Sequence, residues 1–202
     1  MTQRNLHRLL GLCMLLPLLA WATTGVIFLT KPGYDGAYER LSIKTYPLAA
    51  TPAIEAPPAW QEVRWIRSVL GPHLLVKSSN AFWQGDPSTG LPLPPPSAQQ
   101  VRQLITDAIR ANPQRYGQVH TIEGLSAVTT TDIHITLNWN NMSLQQKGKD
   151  REFIDTLYKI HYLQWTKWDK ANTIFGVVGL IGLFSLTLLG FFLFLSAPRK
   201  PE

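Results

Sequence analysis

Histidines are the side chains of this sequence that are best suited to bind a metal or a haem iron, because a neutral imidazole nitrogen carries a free lone pair. The 202-residue chain has five of them: His7, His73, His120, His134 and His161. His73, His120 and His134 lack carboxylates at the spacing of a metal site, so we interpret them as surface or hydrogen-bonded residues. The sequence contains neither HExxH nor GxSxG, and it contains no phosphate-binding loop. We therefore predict no hydrolytic centre and no metal site.

His161 lies in an aromatic segment, LYKIHYLQWTKW at 157–168, just before a long apolar run. Its aromatic neighbours are Tyr158, Tyr162, Trp165 and Trp168. Glycine and proline are missing from 151 to 175, so we expect a helix that begins near Asp150 and continues into the apolar run. Tyr158, His161, Trp165 and Trp168 would then share one face. His161 is either an interfacial anchor, since tyrosine and tryptophan favour the membrane surface, or a haem or metal ligand.

Two uncharged apolar runs, at 9–30 and 171–196, are long enough to cross a membrane. A helix rises about 1.5 Å per residue and the hydrocarbon core is about 30 Å thick. The first run has an alternative interpretation as a cleavable signal peptide, because basic residues precede it and it contains AWA at 20–22. We favour a retained helix, since the apolar run is longer than the usual signal-peptide core of about 7–15 residues.

The charges of the two tails predict the orientation of the chain. The tail at 1–8 carries Arg4 and Arg8, and the tail at 197–202 carries Arg199 and Lys200. Basic residues in short tails stay on the cytoplasmic side, so we expect both termini inside and the segment 31–170 outside. In a bacterium this is an inner-membrane protein with a periplasmic domain. That segment contains no cysteine, so it has no disulfide.

The outer segment is predicted to be an α+β domain, an antiparallel sheet packed on a helix and tethered by two transmembrane α-helices. Alternating residues at 62–70 and 129–139 indicate strands, and a capping box of Ser97 and Gln100 begins a helix with one apolar stripe. The predicted divisions are a proline-rich linker at 31–60, a folded domain at 61–150 and an amphipathic interfacial helix at 151–170. A mildly basic segment without a nucleic-acid motif predicts no nucleic-acid partner.

Gly176, Gly179 and Gly182 recur every three residues within the second apolar run. Small residues let helices approach closely in lipid, which favours packing of the two spans on each other or of two copies of the chain. The alternative is simple tolerance of glycine in membrane helices.

Three stretches resemble the PepSY domain and the PepSY-associated transmembrane helix family. VLGPHLLVKSSNAFWQGDPSTGLPLPP at 69–95 resembles the strand–hairpin–strand that ends a PepSY domain, with DPSTG in place of its Asp-x-x-Thr-Gly turn. LHRLLGLCMLLPLLAWATTGVIF at 6–28 resembles the opening helix of those membrane proteins, and IHYLQW at 160–165 resembles their histidine-containing segment. Larger members have four or more spans, so this chain resembles a small, two-span member.

The resemblance implies two functions. The first is a non-enzymatic accessory or regulatory interaction module, which would contact membrane lipid and another membrane or periplasmic protein or a second copy. The alternative is a b-haem electron-transfer protein related to ferric-siderophore reductases, with His7 and His161 as haem candidates. We expect these histidines at opposite ends of the spans, about 30 Å apart. One chain then offers only one axial ligand, so haem requires a dimer, a partner subunit or a single axial histidine.

Overall fold

The computed structural model describes residues 2–49, 54 and 56–196. The chain divides into two units, one formed by Met1–Tyr34 with Glu152–Glu202 and the other by Asp35–Arg151. The predicted tail at 197–202 and part of the predicted linker (50–53 and 55) lie outside the described residues.

Two long apolar helices, α1 and α6, form most of the first unit. They are Gln3–Thr30 and Asp169–Leu195, and their most apolar windows have a mean hydropathy of 2.1 and 2.5. Thr2 caps the start of α1 by accepting a hydrogen bond from the backbone N–H of Asn5. Most of the leucine and phenylalanine side chains of both helices are exposed. Both helices are therefore compatible with anchoring in a membrane.

The described residues of the second unit form two antiparallel sheets. A three-stranded sheet has the order β1-β2-β3 and a four-stranded sheet has the order β4-β5-β6-β7. The strands are β1 Glu62–Ser68, β2 Gly71–Ser78, β3 Ala81–Gly85, β4 Val119–Glu123, β5 Ser126–Thr129, β6 His134–Asn138 and β7 Ser143–Lys147. The remaining helices are α2 Tyr34–Ala37, α3 Ala98–Ile109, α4 Pro113–Tyr116 and α5 Lys149–His161. The expected α+β domain between two terminal apolar helices is confirmed, with two sheets where the sequence predicted one.

Helix α3 supplies the centre of the hydrophobic core. The predicted capping box is present, because Ser97 accepts from the N–H of Gln100 and Gln100 accepts from the N–H of Ser97. The apolar stripe of α3 is buried together with residues of both sheets, including Leu75 and Ile135. The buried stripe consists of Val101, Leu104, Ile105, Ala108 and Ile109. Burial of this stripe explains why the helix forms against the sheets.

A buried polar chain connects the two sheets at His73. His73 lies between Ser68 and Gln84, at 2.6 Å from Ser68 Oγ and 3.1 Å from Gln84 Oε1, and the Gln84 amide donates to the Trp139 carbonyl at 2.7 Å. Burial lowers the pKa of His73, and the hydrogen bond with Gln84 opposes part of that effect. The interpretation of His73 as a hydrogen-bonded residue is confirmed.

Arg115 connects the chain after α1 with the start of α5. Its guanidinium donates to Asp150 at 2.7 Å and to Gln146 at 2.8 Å, and Nε lies 3.6 Å from Glu39. The Arg115 side chain is 12% exposed. The Gln146 amide group lies 3.2 Å from the carbonyl oxygens of Gly36, Ala37 and Glu39. Arg115 therefore holds Glu39 and the start of α5 together within this domain.

Helix α5 ends at His161, so the expected continuous helix from Asp150 into the second span is wrong. Leu163 adopts left-handed backbone torsions, with φ at 55°. Its N–H donates to the carbonyl of Ile160, and the N–H of Gln164 donates to the carbonyl of Lys159. This is a Schellman ending with leucine where glycine is usual. The predicted interfacial helix at 151–170 is therefore interrupted after His161, and α6 begins only at Asp169.

Candidate functional site around His161

His161, at the end of α5, packs beside α1 within the first unit. Its Nδ1 lies 2.8 Å from Thr24 Oγ1, and its carbonyl oxygen accepts a hydrogen bond of 2.6 Å from the indole N–H of Trp21. Thr24 lies six residues before Thr30, which is about 9 Å along α1. The imidazole therefore lies beside the C-terminal part of α1, and the expected position of His161 at the outer edge of a span stays a prediction.

The contacts of Thr24 determine which nitrogen of His161 carries the proton. Thr24 is buried, and its hydroxyl lies 2.6 Å from the carbonyl of Ala20, one helical turn earlier. That carbonyl can only accept, so the one hydroxyl proton of Thr24 is directed to it. Oγ1 is then an acceptor for His161, and Nδ1 is the nitrogen that donates. In the neutral imidazole the proton is thereby placed on Nδ1, and Nε2 keeps a free lone pair.

The second nitrogen of His161 is open. Nε2 makes no hydrogen bond to any described residue, and it is not one of the buried polar atoms of the described chain. Among the described residues, no group of three histidine, cysteine, aspartate or glutamate side chains is placed to hold a metal ion. His161 therefore presents a single, oriented acceptor atom.

Aromatic rings from α1 and from the end of α5 pack around the imidazole of His161. Phe28 stacks on Tyr158 at 4.7 Å between ring centroids, and its ring meets His161 edge-on at 5.1 Å. Tyr162 stacks on Tyr158 at 6.1 Å and meets His161 edge-on at 5.5 Å. Such pairs add about 0.5–1.5 kcal/mol beyond simple burial. They fix the ring plane of His161.

Trp165 and Trp168 are not part of this cluster. They lie in the connection between α5 and α6, and 49% and 74% of their surface is exposed. The side chain of Asn172 accepts hydrogen bonds from the backbone N–H and the hydroxyl of Thr166, which holds the connection against the start of α6. The shared aromatic face predicted for a continuous helix is therefore limited to Tyr158 and His161.

The glycines of α6 lie where side chains of α1 and of the α5 ending approach. A Cβ added at Gly179 would lie 2.7 Å from Leu163 Cδ1 and 3.4 Å from the Trp21 ring, and one added at Gly182 would lie 2.7 Å from Met14 Sδ. At Gly176 the nearest atom is the Tyr162 carbonyl oxygen, at 3.8 Å. In this structure α1 and α6 of one chain pack on each other at Gly179 and Gly182.

His7 packs against the far end of α6. A Cβ added at Gly190 would lie 3.3 Å from His7 Cε1, and the His7 Nδ1 is a buried atom without a hydrogen-bond partner among the described residues. Gly190 lies 14 residues after Gly176, which is about 21 Å along α6. His7 and His161 are therefore not brought together, and these two histidines of one chain cannot bind the same haem iron.

A cavity of about 370 Å³ adjoins the His161 cluster. Trp21 from α1, His161 to Leu163 from the end of α5, and Gly176, Leu180 and Leu183 from α6 line it. The indole N–H of Trp21 is already used by the His161 carbonyl. The cavity walls are thus mostly apolar, and His161 is one of the residues that line it.

Sequence reasoning missed the residues of α1 that hold this site. Trp21, Thr24 and Phe28 contact the α5 ending, and His7, Met14, Trp21 and Phe28 recur at intervals of seven. A heptad spacing is the signal for a helix seam that faces a partner helix. The apolarity of the whole run hides that spacing, because every face of the helix looks equally apolar.

Comparisons with protein-family models, with curated protein sequences and with solved structures find no match to this chain.

Proposed function

We propose that this protein is a non-enzymatic accessory or regulatory protein whose outer α+β domain docks on another protein of the same membrane or of the periplasm. In this proposal α1 and α6 cross the bacterial inner membrane, both termini are cytoplasmic and the domain is periplasmic. The observation that supports docking is one exposed polar face of the four-stranded sheet.

That face consists of side chains in register across the four strands. Thr136 lies between Ser126 and Gln145, and His134 lies opposite Lys147. The burial pattern of β6 alternates strictly, with His134, Thr136 and Asn138 exposed and Ile135 and Leu137 buried. The opposite face of the sheet packs on α3 and the core. Strand pairing therefore holds these polar groups at fixed positions.

A surface of this kind suits a reversible protein contact. Its hydroxyl, amide and imidazole groups both donate and accept hydrogen bonds, and non-obligate interfaces are about as polar as the rest of a protein surface. The sheet presents these groups without rearrangement, which reduces the entropy cost of binding.

Site-specific photo-crosslinking in intact membranes tests this proposal. A photoreactive phenylalanine analogue would replace Thr136 or Gln145 on the sheet face, and Gln103 on the exposed side of α3 is the matched control. We expect one discrete adduct from both sheet positions and none from Gln103. The mass of the adduct distinguishes crosslinking to another protein from crosslinking to a second copy of this chain. Equal adduct patterns at all three positions, or no adduct at any of them, would contradict docking through this face.

A second candidate is a b-haem electron-transfer protein, and the open Nε2 of His161 is the observation that favours it. A histidine ligand usually donates its other ring N–H to a neighbouring acceptor, as Nδ1 does to Thr24. The second axial ligand would come from a partner subunit or a second copy, because His7 is too distant. An absorption spectrum of protein purified from haem-replete cells tests this candidate. A Soret band lost in His161→Phe supports it, and a colourless protein contradicts it.

A further inference from the structure

The cavity beside His161 has the chemistry of a binding site for a small amphiphile dissolved in the membrane. Its volume is about 370 Å³, and its walls are contributed by α1, the α5 ending and α6. The walls include the flat ring systems of Trp21 and Tyr162, which suit a planar ring. This inference does not depend on docking by the outer domain.

The unpaired Nε2 of His161, a residue that lines the cavity, favours a ligand that can donate a hydrogen bond. Thr24 takes the Nδ1 proton, so Nε2 can accept a hydrogen bond but cannot donate one. A ligand in the cavity would shield this acceptor from water, and an acceptor left without a donor is costly in an apolar surrounding, so the favoured ligand brings a hydroxyl group. A phenolic hydroxyl on a flat ring meets both requirements.

We propose that this cavity binds the reduced head group of a membrane quinol, with a ring hydroxyl donating to His161 Nε2. The oxidised quinone carries only carbonyl acceptors at those positions, and it would place an acceptor against an acceptor. The site therefore discriminates between the two redox forms in favour of the quinol. A lipid that carries a head-group hydroxyl offers the same donor without the ring.

The test measures binding of decylubiquinol and decylubiquinone to the full chain in phosphatidylcholine nanodiscs, which contain no head-group hydroxyl. We expect the reduced form to bind about tenfold more tightly, which corresponds to one hydrogen bond of about 1.4 kcal/mol. His161→Phe removes the acceptor and should abolish this preference. Leu183→Phe fills the cavity and should block both forms, whereas Leu188→Phe, at an exposed position of α6 outside the cavity, should block neither.

A second variant keeps the proposal testable if His161→Phe fails to fold. Thr24→Val frees the imidazole to carry its proton on either nitrogen, so Nε2 can also donate a hydrogen bond to a quinone carbonyl. The affinity for the quinone should rise, and the ratio of quinol affinity to quinone affinity should approach one. Thr24→Ser keeps the hydroxyl and should keep the preference.

Four results would overturn the proposal. The first is equal affinity of the wild-type protein for both redox forms, and the second is a preference for the quinol that survives in a folded His161→Phe variant. The third is loss of quinol binding when phosphatidylglycerol replaces phosphatidylcholine. The fourth is a Soret band that depends on His161. The third result would assign the cavity to a lipid hydroxyl, and the fourth would assign Nε2 to haem. Each is independent of the crosslinking result on the sheet face.

Discussion

Thr24 of α1 and His161 of α5 form a hydrogen-bonded pair, with 2.8 Å between Oγ1 and Nδ1. The two residues are 137 positions apart in the chain, and Thr24 also donates to the Ala20 carbonyl. The pair sets the tautomer of the histidine and ties the end of α5 to α1.

Replacing Thr24 with valine should weaken this attachment. Valine keeps the shape of threonine but leaves the Nδ1 proton of His161 without an acceptor. We expect a loss of about 0.6 kcal/mol in the free energy of unfolding, the average for hydrogen bonds between membrane helices. Unfolding by SDS in mixed micelles measures it, and ¹⁵N NMR of His161 reports the tautomer. Thr24→Ser is the control, and equal spectra for Thr24→Val and Thr24→Ser would refute the tautomer assignment.

Gly179 should be the least replaceable of the membrane glycines. An alanine methyl there would lie 2.7 Å from Leu163 Cδ1, and Leu163 is held by its left-handed backbone and by burial at 4% exposure. We expect Gly179→Ala to cost about 1–3 kcal/mol, the usual range for overpacking.

Two other glycines serve as comparisons in the same SDS unfolding assay. Gly182→Ala should cost less than Gly179→Ala, because the nearest atom is the flexible end of Met14. Gly25→Ala on α1 should be tolerated, since no atom lies within 4 Å of the added carbon. A Gly25→Ala variant as unstable as Gly179→Ala would show that the packing described for α6 is incorrect.

His73 should make the stability of the outer domain depend on pH. Burial lowers the pKa of His73 in the folded protein below its ordinary value of about 6.5. The unfolded chain therefore takes up the proton first, and stability is complete above about pH 6.5 and falls as the pH drops toward the folded pKa. One proton gives a slope of at most about 1.4 kcal/mol per pH unit.

Thermal unfolding of the full chain between pH 5 and 8 measures this dependence. His73→Gln should remove the part of the slope that His73 causes, whereas His134→Gln, at an exposed position, should leave it unchanged. If His73→Gln and wild type show the same slope, His73 does not cause it.

Arg115 should contribute more to stability than the exposed ion pair nearby. Arg115→Met leaves Asp150 and Gln146 without their donor in a site where the arginine is only 12% exposed. We expect a loss of about 3 kcal/mol, at the lower end for a buried pair that loses one partner. Lys149→Met removes a pair with Asp132 whose side chains are 81% and 64% exposed, and its effect should be much smaller. Equal melting temperatures for the two variants would contradict this ranking.

The sequence was sufficient to predict the helices and strands whose formation depends on residues close together in the chain. Helix α3 was predicted from Ser97, Gln100 and its apolar stripe, and all of those features are present. The alternation around His134 correctly predicted an exposed histidine on a strand. These elements form because neighbours in sequence satisfy each other, so a short window contains the information.

The site itself depends on contacts that no short window contains. Helix α5 ends with Leu163 in a left-handed backbone conformation that glycine usually adopts. The side chain of Leu163 occupies space that a Cβ at Gly179 would fill. Thr24 was indistinguishable from other small residues of the first run. The PepSY resemblance, haem binding and the partner protein stay predictions.

Both proposed functions require that α1 and α6 cross the membrane and that residues 35–151 lie outside the cytoplasm. Labelling of single cysteines with a membrane-impermeant maleimide tests this most directly, in a Cys13→Ser background. We expect Gln103→Cys, which is exposed on α3 and outside the proposed docking face, to react in spheroplasts with an intact membrane, and Gln3→Cys to react only after the membrane is permeabilised. Labelling of Gln3→Cys with protection of Gln103→Cys, or release of the protein by alkaline carbonate, would contradict the two-span arrangement.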